Sequence, residues 1–166
     1  MTAETTTKSK QAPAHFAGEA KLDQQLCFAL YSASGLMTKL YRPLLDPLGL
    51  TYPQYLAMLA LWERAPSTVG ELGEALGLDS ATLTPLLKRM EAGGLVTRRR
   101  DPADERRVMV EPTAKGQALR EQAKSVPAAM LCNLPLDADE LKSLHRTLTR
   151  FVSGLRKADA GIAKRS

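Results

Sequence analysis

The two cysteines of the chain carry the side chains best suited to react with an oxidant. Cys27 lies in LDQQLCFALYSAS, residues 22–34, inside an otherwise ordinary apolar helical pattern, and Cys132 lies near the end of a later one. The thiolate of a cysteine is a nucleophile, but free cysteines are also among the most buried residue types in proteins. The two thiols are therefore either redox-active groups or buried apolar residues.

Composition narrows the class of protein. A length of 166 residues indicates one domain, or a domain with a dimerisation arm. Hydrophobic residues make up 44% and aromatic residues 5%, and Leu and Ala dominate, which favours helices over strands. The net charge of +5 and the pI of about 9.4 are typical of many nucleic-acid binders, although charge alone is weak support.

The sequence predicts neither a membrane span nor an export signal. It has no apolar run of about 18 residues, and its first residues lack the charged-then-apolar layout of a signal peptide. Residues 1–20 are polar and are predicted to be a disordered tail. We therefore expect a cytoplasmic protein whose cysteines form no structural framework. His15 and His145 have no metal-ligand spacing, so we expect both at the surface and expect no metal or other cofactor.

A helical pattern occupies residues 21–50. Pro43 bends or breaks it, so the pattern predicts one long helix or two short ones, ended by Gly49 at a C′ position. On this prediction Cys27 lies about two turns into its helix. No Lys or Arg stands three or four residues from it, so any stabilisation of its thiolate must come from elsewhere in the fold.

Three short helices follow, and each begins with a capping signal. The signals are Thr51 or Tyr52 with Pro53, Ser67 or Thr68 with Glu71, and Asp79 with Ser80.

The period then changes from helix to strand. Residues 95–100 and 107–113 read as two strands around the polar turn DPADER, which predicts a β-hairpin. Two closing helices follow, the second capped by Asp137 with Glu140, and residues 159–166 form a predicted flexible basic tail.

This order of elements predicts a mainly α fold with a small β-hairpin wing. Residues 51–112 would form a winged helix-turn-helix, flanked by the helical regions 21–50 and 113–158. The second helix of ALGLDSATLTPLLKRM is the predicted recognition helix. Its apolar residues, expected to face the core, are Leu83, Leu86, Leu87 and Met90.

The candidate DNA contacts lie on this helix and on the hairpin. Residues 88–107 contain seven basic and four acidic side chains. Arginines at a hairpin tip can enter a minor groove, and Asp101 or Asp104 could pair with Arg106 and aim it. Such charges also occur on hairpins that are merely solvated, but the preceding helix-turn-helix favours DNA binding. The candidates are Asp79, Ser80, Thr82, Thr84, Pro85, Lys88, Arg89, Arg98, Arg106 and Arg107.

Several stretches resemble a known family of winged-helix repressors. DPADERRVMVEPTAKG resembles the wing and following helix start of the MarR family. LCFALYSAS, LGLTYPQYLAMLALWE and LDSATLTPLLKRMEAGGLVTR resemble its OhrR subfamily, whose members sense organic hydroperoxides. The resemblance covers about residues 21–157.

The resemblance implies a function and a set of roles. It implies a homodimer, joined through the first and last helices, that binds palindromic operator DNA and is released by organic hydroperoxide. Cys27 matches the sensing cysteine, and Tyr41 and Tyr52 match tyrosines that hydrogen-bond its thiolate. Cys132 lies where two-cysteine members carry a resolving cysteine, and Arg106 matches the wing-tip arginine.

Spacing adds a constraint on the sensing site. Cys27 and Tyr41 are fourteen positions apart, about 21 Å along one straight helix. Either the chain folds back between them, or the tyrosine comes from the other subunit of a two-fold dimer; we predict the second arrangement. Tyr31 and Tyr55 are predicted packing or dimer residues, and Trp62 is predicted to lie in the core.

Two other functions remain open at this stage. A MarR-type repressor could instead respond to small phenolic ligands without any redox step. A thiol peroxidase is a second alternative, but it would leave the arginine-rich wing unexplained, and such enzymes usually use a βαβ scaffold that this pattern lacks.

Overall fold

The computed structural model describes residues 21–163, with side chains for residues 21–159. These residues are mainly helical with one small antiparallel sheet, which confirms the predicted fold class. The helices are α1 Leu26–Leu45, α2 Tyr52–Glu63, α3 Val69–Leu76, α4 Ser80–Ala92, α5 Ala114–Ala123, α6 Val126–Leu131 and α7 Ala138–Ala163. The strands are β1 Ser67–Thr68, β2 Val96–Asp101 and β3 Asp104–Pro112.

Two compact units divide the chain, Met1–Met130 and Leu131–Ser166. The first contains α1 to α5, the sheet and nearly all of α6, and the second contains α7. None of the helices in the described part of the chain is both long and apolar enough to span a membrane. The predicted tail at residues 1–20, with His15, lies outside the described residues.

The segment 21–50 contains a single α-helix rather than two. Pro43 lies inside α1 without dividing it, and α1 ends two residues further on. Short 3-10 helices flank it at Leu22–Gln24 and Asp46–Leu48, and Gly49 then ends the segment with a left-handed φ of 64°. The predicted glycine stop is therefore confirmed, because glycine has no Cβ to clash in that conformation.

The predicted caps of the short helices are confirmed. Thr68 and Glu71 form a reciprocal capping box at α3, with the Thr68 backbone N–H donating to Glu71 Oε2 at 2.7 Å. Asp79 caps α4 by accepting the Thr82 backbone N–H at 2.7 Å. Thr51 caps α2. These contacts satisfy backbone donors that a helix start leaves without partners.

The hairpin is longer than predicted and has a tighter turn. β2 and β3 pair up to Asp101 and Asp104, so only Pro102 and Ala103 form the tip. Asp101 Oδ1 accepts the Ala103 N–H at 2.9 Å, which closes this turn locally. Strand β1 has only two residues, too few to produce a recognisable pattern in the sequence, and it pairs with the other edge of β3.

The buried core is formed mainly by the helices and strands of the winged helix-turn-helix. The predicted core face of α4 is confirmed, since Leu83, Leu86, Leu87 and Met90 are all buried. Trp62 is buried as predicted, and its indole Nε1–H donates to the Gly116 carbonyl at 3.1 Å.

The closing region differs from the two predicted helices. The first is divided into α5 and α6, because Pro127 has no N–H to continue the hydrogen-bond ladder. The predicted cap of the last helix is confirmed, with Asp137 N–H donating to Glu140 Oε2 at 2.9 Å. That helix, α7, continues to Ala163, beyond the predicted start of a flexible tail at residue 159.

Candidate thiol site and DNA interface

Cys27 lies in the first turn of α1, so its predicted position two turns into a helix is wrong. It is the second residue of the helix, and its free thiol is exposed. The helix starts late because Gln25 has an extended backbone, with φ −84° and ψ 117°, which separates α1 from the preceding 3-10 helix. The partial positive charge at a helix N-terminus favours negative charge nearby.

Three tyrosine rings cluster where α1 meets α2. The ring centroids of Tyr41 and Tyr52 are 4.6 Å apart, and those of Tyr41 and Tyr55 are 6.0 Å apart. Tyr55 is 2% exposed and belongs to the core, as predicted for a packing residue. Burial raises the pKa of all three hydroxyls, and the neighbouring Tyr52 raises that of Tyr41 further. The hydroxyls therefore keep their protons at neutral pH and can donate hydrogen bonds.

Within one chain, the structure does not bring Cys27 to these tyrosines. Cys27 and Tyr41 lie on the same continuous helix, about 21 Å apart along its axis. The Tyr52 ring packs against the Tyr41 ring at a tilt of 34°, so Tyr52 is remote from Cys27 as well. Of the two arrangements left open by the sequence, a chain that folds back is excluded.

The second cysteine is also exposed. Cys132 directly follows α6, has a free thiol and belongs to the second compact unit, whereas Cys27 belongs to the first. Neither thiol is buried in its unit, so the alternative that both cysteines are core residues is wrong.

A groove between α4 and the wing brings together half of the predicted DNA contacts. Its volume is about 510 Å³. Ser80 and Thr84 line it from α4, and Arg98, Arg106 and Arg107 line it from the wing. The other candidates are exposed and do not line this groove: Asp79, which caps α4, and Thr82, Pro85, Lys88 and Arg89 on the helix.

Aspartates orient two of the wing arginines. Arg106 is 91% exposed in its side chain, yet its Nε lies 3.0 Å from Asp104 Oδ1. This pairing lowers the pKa of the Asp104 carboxyl, so the carboxylate stays charged at neutral pH. Asp101 Oδ2 lies 3.9 Å from Arg107 Nε. Of the two aspartates predicted to pair with Arg106, Asp104 does so, whereas Asp101 lies near Arg107 instead.

Besides Arg106 and Arg107, two more of the predicted DNA contacts, Asp79 and Arg98, have partners within the chain. The Asp79 carboxylate caps α4, and its pKa is lowered by the Thr82 backbone N–H. Arg98 donates from Nε and Nη2 to Glu91 Oε2, at 2.9 and 2.7 Å, which lowers the pKa of Glu91. Glu91 was missed in the sequence because a pair that joins a helix end to a strand produces no periodic signal. DNA contact by Asp79 and Arg98 stays a prediction.

Together, the helix-turn-helix, the basic wing and the groove between them define a winged-helix protein of DNA-binding type. The MarR family profile matches residues 50–108. The organic hydroperoxide resistance transcriptional regulator of Bacillus subtilis is 50% identical over 135 residues, which are 81% of this chain and 92% of that protein. The chain therefore belongs to the MarR family of transcriptional regulators.

Solved structures agree with this assignment. Reduced AbfR bound to DNA is 40% identical with a TM-score of 0.67, and the match covers 81% of this chain and 94% of that one. The disulfide form of AbfR is 39% identical with a TM-score of 0.56, over 79% of this chain and 92% of that one. AbfR comes from Staphylococcus epidermidis.

Proposed function

We propose that the protein is a repressor that binds operator DNA as a homodimer and releases it when organic hydroperoxide oxidises Cys27. The observation that carries this proposal is the exposed thiol of Cys27 in the first turn of α1. The relative from Bacillus subtilis supports it, because that protein is named for organic hydroperoxide resistance.

A homodimer would cover the apolar side chains that a single chain exposes. In α1 these are Leu26, Phe28, Tyr31, Leu36 and Leu40. In α7 they are Leu144, Leu148, Phe151, Val152 and Leu155, which follow helical spacing and form a stripe. Extended apolar surface of this kind marks an interaction site. A second copy presents the same faces and can bury both helices around a two-fold axis.

In such a dimer, each sensing site is shared between subunits. Tyr41 and Tyr52 cannot reach Cys27 of their own chain, so in this proposal they donate hydrogen bonds to the thiolate of the partner. Their raised pKa values support this role, since a protonated hydroxyl stabilises a thiolate and an ionised one would repel it.

The reaction has two steps. The Cys27 thiolate attacks the outer oxygen of the peroxide ROOH, the O–O bond breaks, and the sulfenic acid and the alcohol ROH form as a proton is taken up. The Cys132 thiol then displaces water from the sulfenic acid to form a disulfide, within or between subunits. In the dimer, the Cys27–Cys132 disulfide would favour a conformation in which the spacing of the two recognition helices no longer matches the operator half-sites.

A direct test measures operator binding before and after oxidation. Fluorescence anisotropy with a labelled palindromic operator is expected to show tight binding by the reduced protein, release on adding cumene hydroperoxide and recovery with dithiothreitol. Non-reducing gels should show a dimer-sized band that disappears in Cys132→Ser. If cumene hydroperoxide leaves the operator bound, the proposal is wrong, and a band of monomer size alone excludes an intersubunit disulfide.

The shared site predicts complementation in mixed dimers. Cys27→Ser homodimers should not respond, and the Tyr41→Phe/Tyr52→Phe homodimer should oxidise about tenfold to a hundredfold more slowly, since each lost hydrogen bond to a charged group weakens the thiolate. A dimer with one chain of each kind contains one intact site, because the wild-type cysteine then faces wild-type tyrosines. The measurement is the rate of sulfenic-acid trapping in mixed dimers purified with two tags. A rate no faster than that of the tyrosine-variant homodimer would exclude the shared site.

The wing predicts a loss of affinity on removing Arg106. Arg106→Ala is expected to weaken operator binding by about 1–3 kcal/mol, because the Arg106 side chain is 91% exposed and its cation can contact DNA. Asp104→Asn should have a smaller effect, because it removes the partner that aims Arg106 but keeps the cation. Both are measured as operator Kd at fixed salt. If Arg106→Ala binds the operator with unchanged affinity, Arg106 at the wing tip is not part of the DNA interface.

A ligand-responsive repressor remains the second candidate, because an open pocket of about 440 Å³ lies beside Tyr52, between α1 and the start of α2. Lys39 and Arg42 line this pocket and could hold an acidic phenol. Release of the operator from Cys27→Ser by salicylate, with no effect of peroxide on the wild type, would favour this candidate.

A further inference from the structure

The start of α5 is fastened to the turn that ends the recognition helix. Lys115 Nζ donates to the Gly93 carbonyl at 2.9 Å, and Thr113 Oγ1 donates to the Gly94 carbonyl at 2.6 Å. The Thr113 backbone N–H donates to the Leu95 carbonyl at 3.0 Å. The carbonyls of the three consecutive residues 93–95 thus accept hydrogen bonds from Thr113 and Lys115 at the start of α5.

Backbone hydrogen bonds connect this turn to the last residues of α4. The Leu95 N–H donates to the Met90 carbonyl at 2.9 Å, and the Gly94 N–H donates to the Glu91 carbonyl at 2.8 Å. Gly94 has a φ of 69°, so the turn is a Schellman motif. A force applied to these carbonyls is therefore passed to the last turn of α4.

Gly116, in the first turn of α5, makes further contacts with the same turn and with α2. A Cβ on Gly116 would lie 2.1 Å from the Leu95 carbonyl oxygen, so the two backbones are in close contact. The Gly116 carbonyl accepts the buried indole N–H of Trp62 at 3.1 Å, and its N–H donates to Thr113 Oγ1 at 3.0 Å. The first turn of α5 therefore has little freedom to slide over α4.

We propose that Thr113 and Lys115 are positioning residues that couple α5 to the recognition helix, so that a displacement of α5 moves α4 relative to the operator. This inference rests on the proposed function. Cys132 follows α5 and α6 directly in the chain, so the disulfide would pull on these helices, and the fastened turn would transmit the movement to α4.

The test compares how strongly oxidation weakens operator binding in matched variants. Lys115→Met removes one hydrogen bond from an exposed side chain and should reduce the ratio of oxidised to reduced Kd by about fivefold to tenfold, the effect of one hydrogen bond. Lys124→Met is the control, because Lys124 follows the opposite end of α5 and its ammonium lies 2.6 Å from Glu121 Oε2 of that same helix. It should keep the wild-type ratio.

Two further measurements separate positioning from other roles. The dependence of Kd on salt should keep its slope in Lys115→Met, whereas a slope lower by about 0.9 would mean that Lys115 binds a phosphate and would overturn the proposal. Thr113→Ser keeps the hydroxyl and should keep the wild-type ratio, while Thr113→Val should lower it as Lys115→Met does.

The failures can be told apart. A wild-type protein that keeps its operator after cumene hydroperoxide contradicts the proposed function, and with it the coupling. A wild-type protein that releases the operator, together with a Lys115→Met variant that releases it equally, overturns the coupling alone.

Discussion

Cys27→Ser is expected to abolish the response to organic hydroperoxide while leaving operator binding by the reduced protein intact. A serine hydroxyl stays protonated at neutral pH and does not attack a peroxide, whereas a thiolate does. Because Cys27 is exposed in the first turn of α1, the exchange of sulfur for oxygen should not disturb the core. Oxidation should weaken wild-type binding by about 5- to 150-fold, the usual range of coupling between two sites, and the variant by less than about twofold.

The measurement is an anisotropy titration of labelled operator with and without cumene hydroperoxide, and Cys132→Ser is its matched control. Cys132→Ser keeps the nucleophile, so a dimedone adduct should form on Cys27, but the disulfide cannot. If Cys27→Ser still releases DNA with peroxide, the redox mechanism is wrong. If both variants respond as the wild type does, neither thiol is a sensor.

Gly116→Ala is expected to destabilise the fold by about 3 kcal/mol or more, at the upper end of what overpacking causes. The new Cβ would lie 2.1 Å from the Leu95 carbonyl oxygen, and backbone cannot move aside as a flexible side chain can. Relief requires α5 to shift, which would break the hydrogen bond from Trp62 to the Gly116 carbonyl. A buried indole N–H would then be left without a partner.

Urea unfolding at one fixed protein concentration measures this effect, because the stability of a dimer depends on concentration. Gly70→Ala is the control, since a Cβ there meets only Thr68 Oγ1 at an ordinary 3.9 Å. That change should be neutral, or stabilise α3 by about 0.5–1 kcal/mol through the better helix propensity of alanine. Equal stability of both variants and the wild type would contradict the tight contact at Gly116.

Much of the fold could be read from the sequence because its signals are local. The caps at Thr68 and Asp79 and the stop at Gly49 each depend on residues within a few positions of one another. The buried face of α4 follows from helical spacing alone. The wing could be recognised for the same reason, although the turn tightened by Asp101 made both strands differ from their predicted bounds.

The sequence by itself determined most of the helices, the basic wing and the two thiols, because periodicity and capping act between near neighbours. Only the tertiary structure decided that Cys27 lies in the first turn of α1 and that the Tyr52 ring packs against Tyr41. It also decided that side chains at the start of α5 donate hydrogen bonds to the turn after α4. These arrangements join residues far apart in the chain, or depend on where one backbone leaves the helical conformation, and packing sets both without a periodic trace in the sequence.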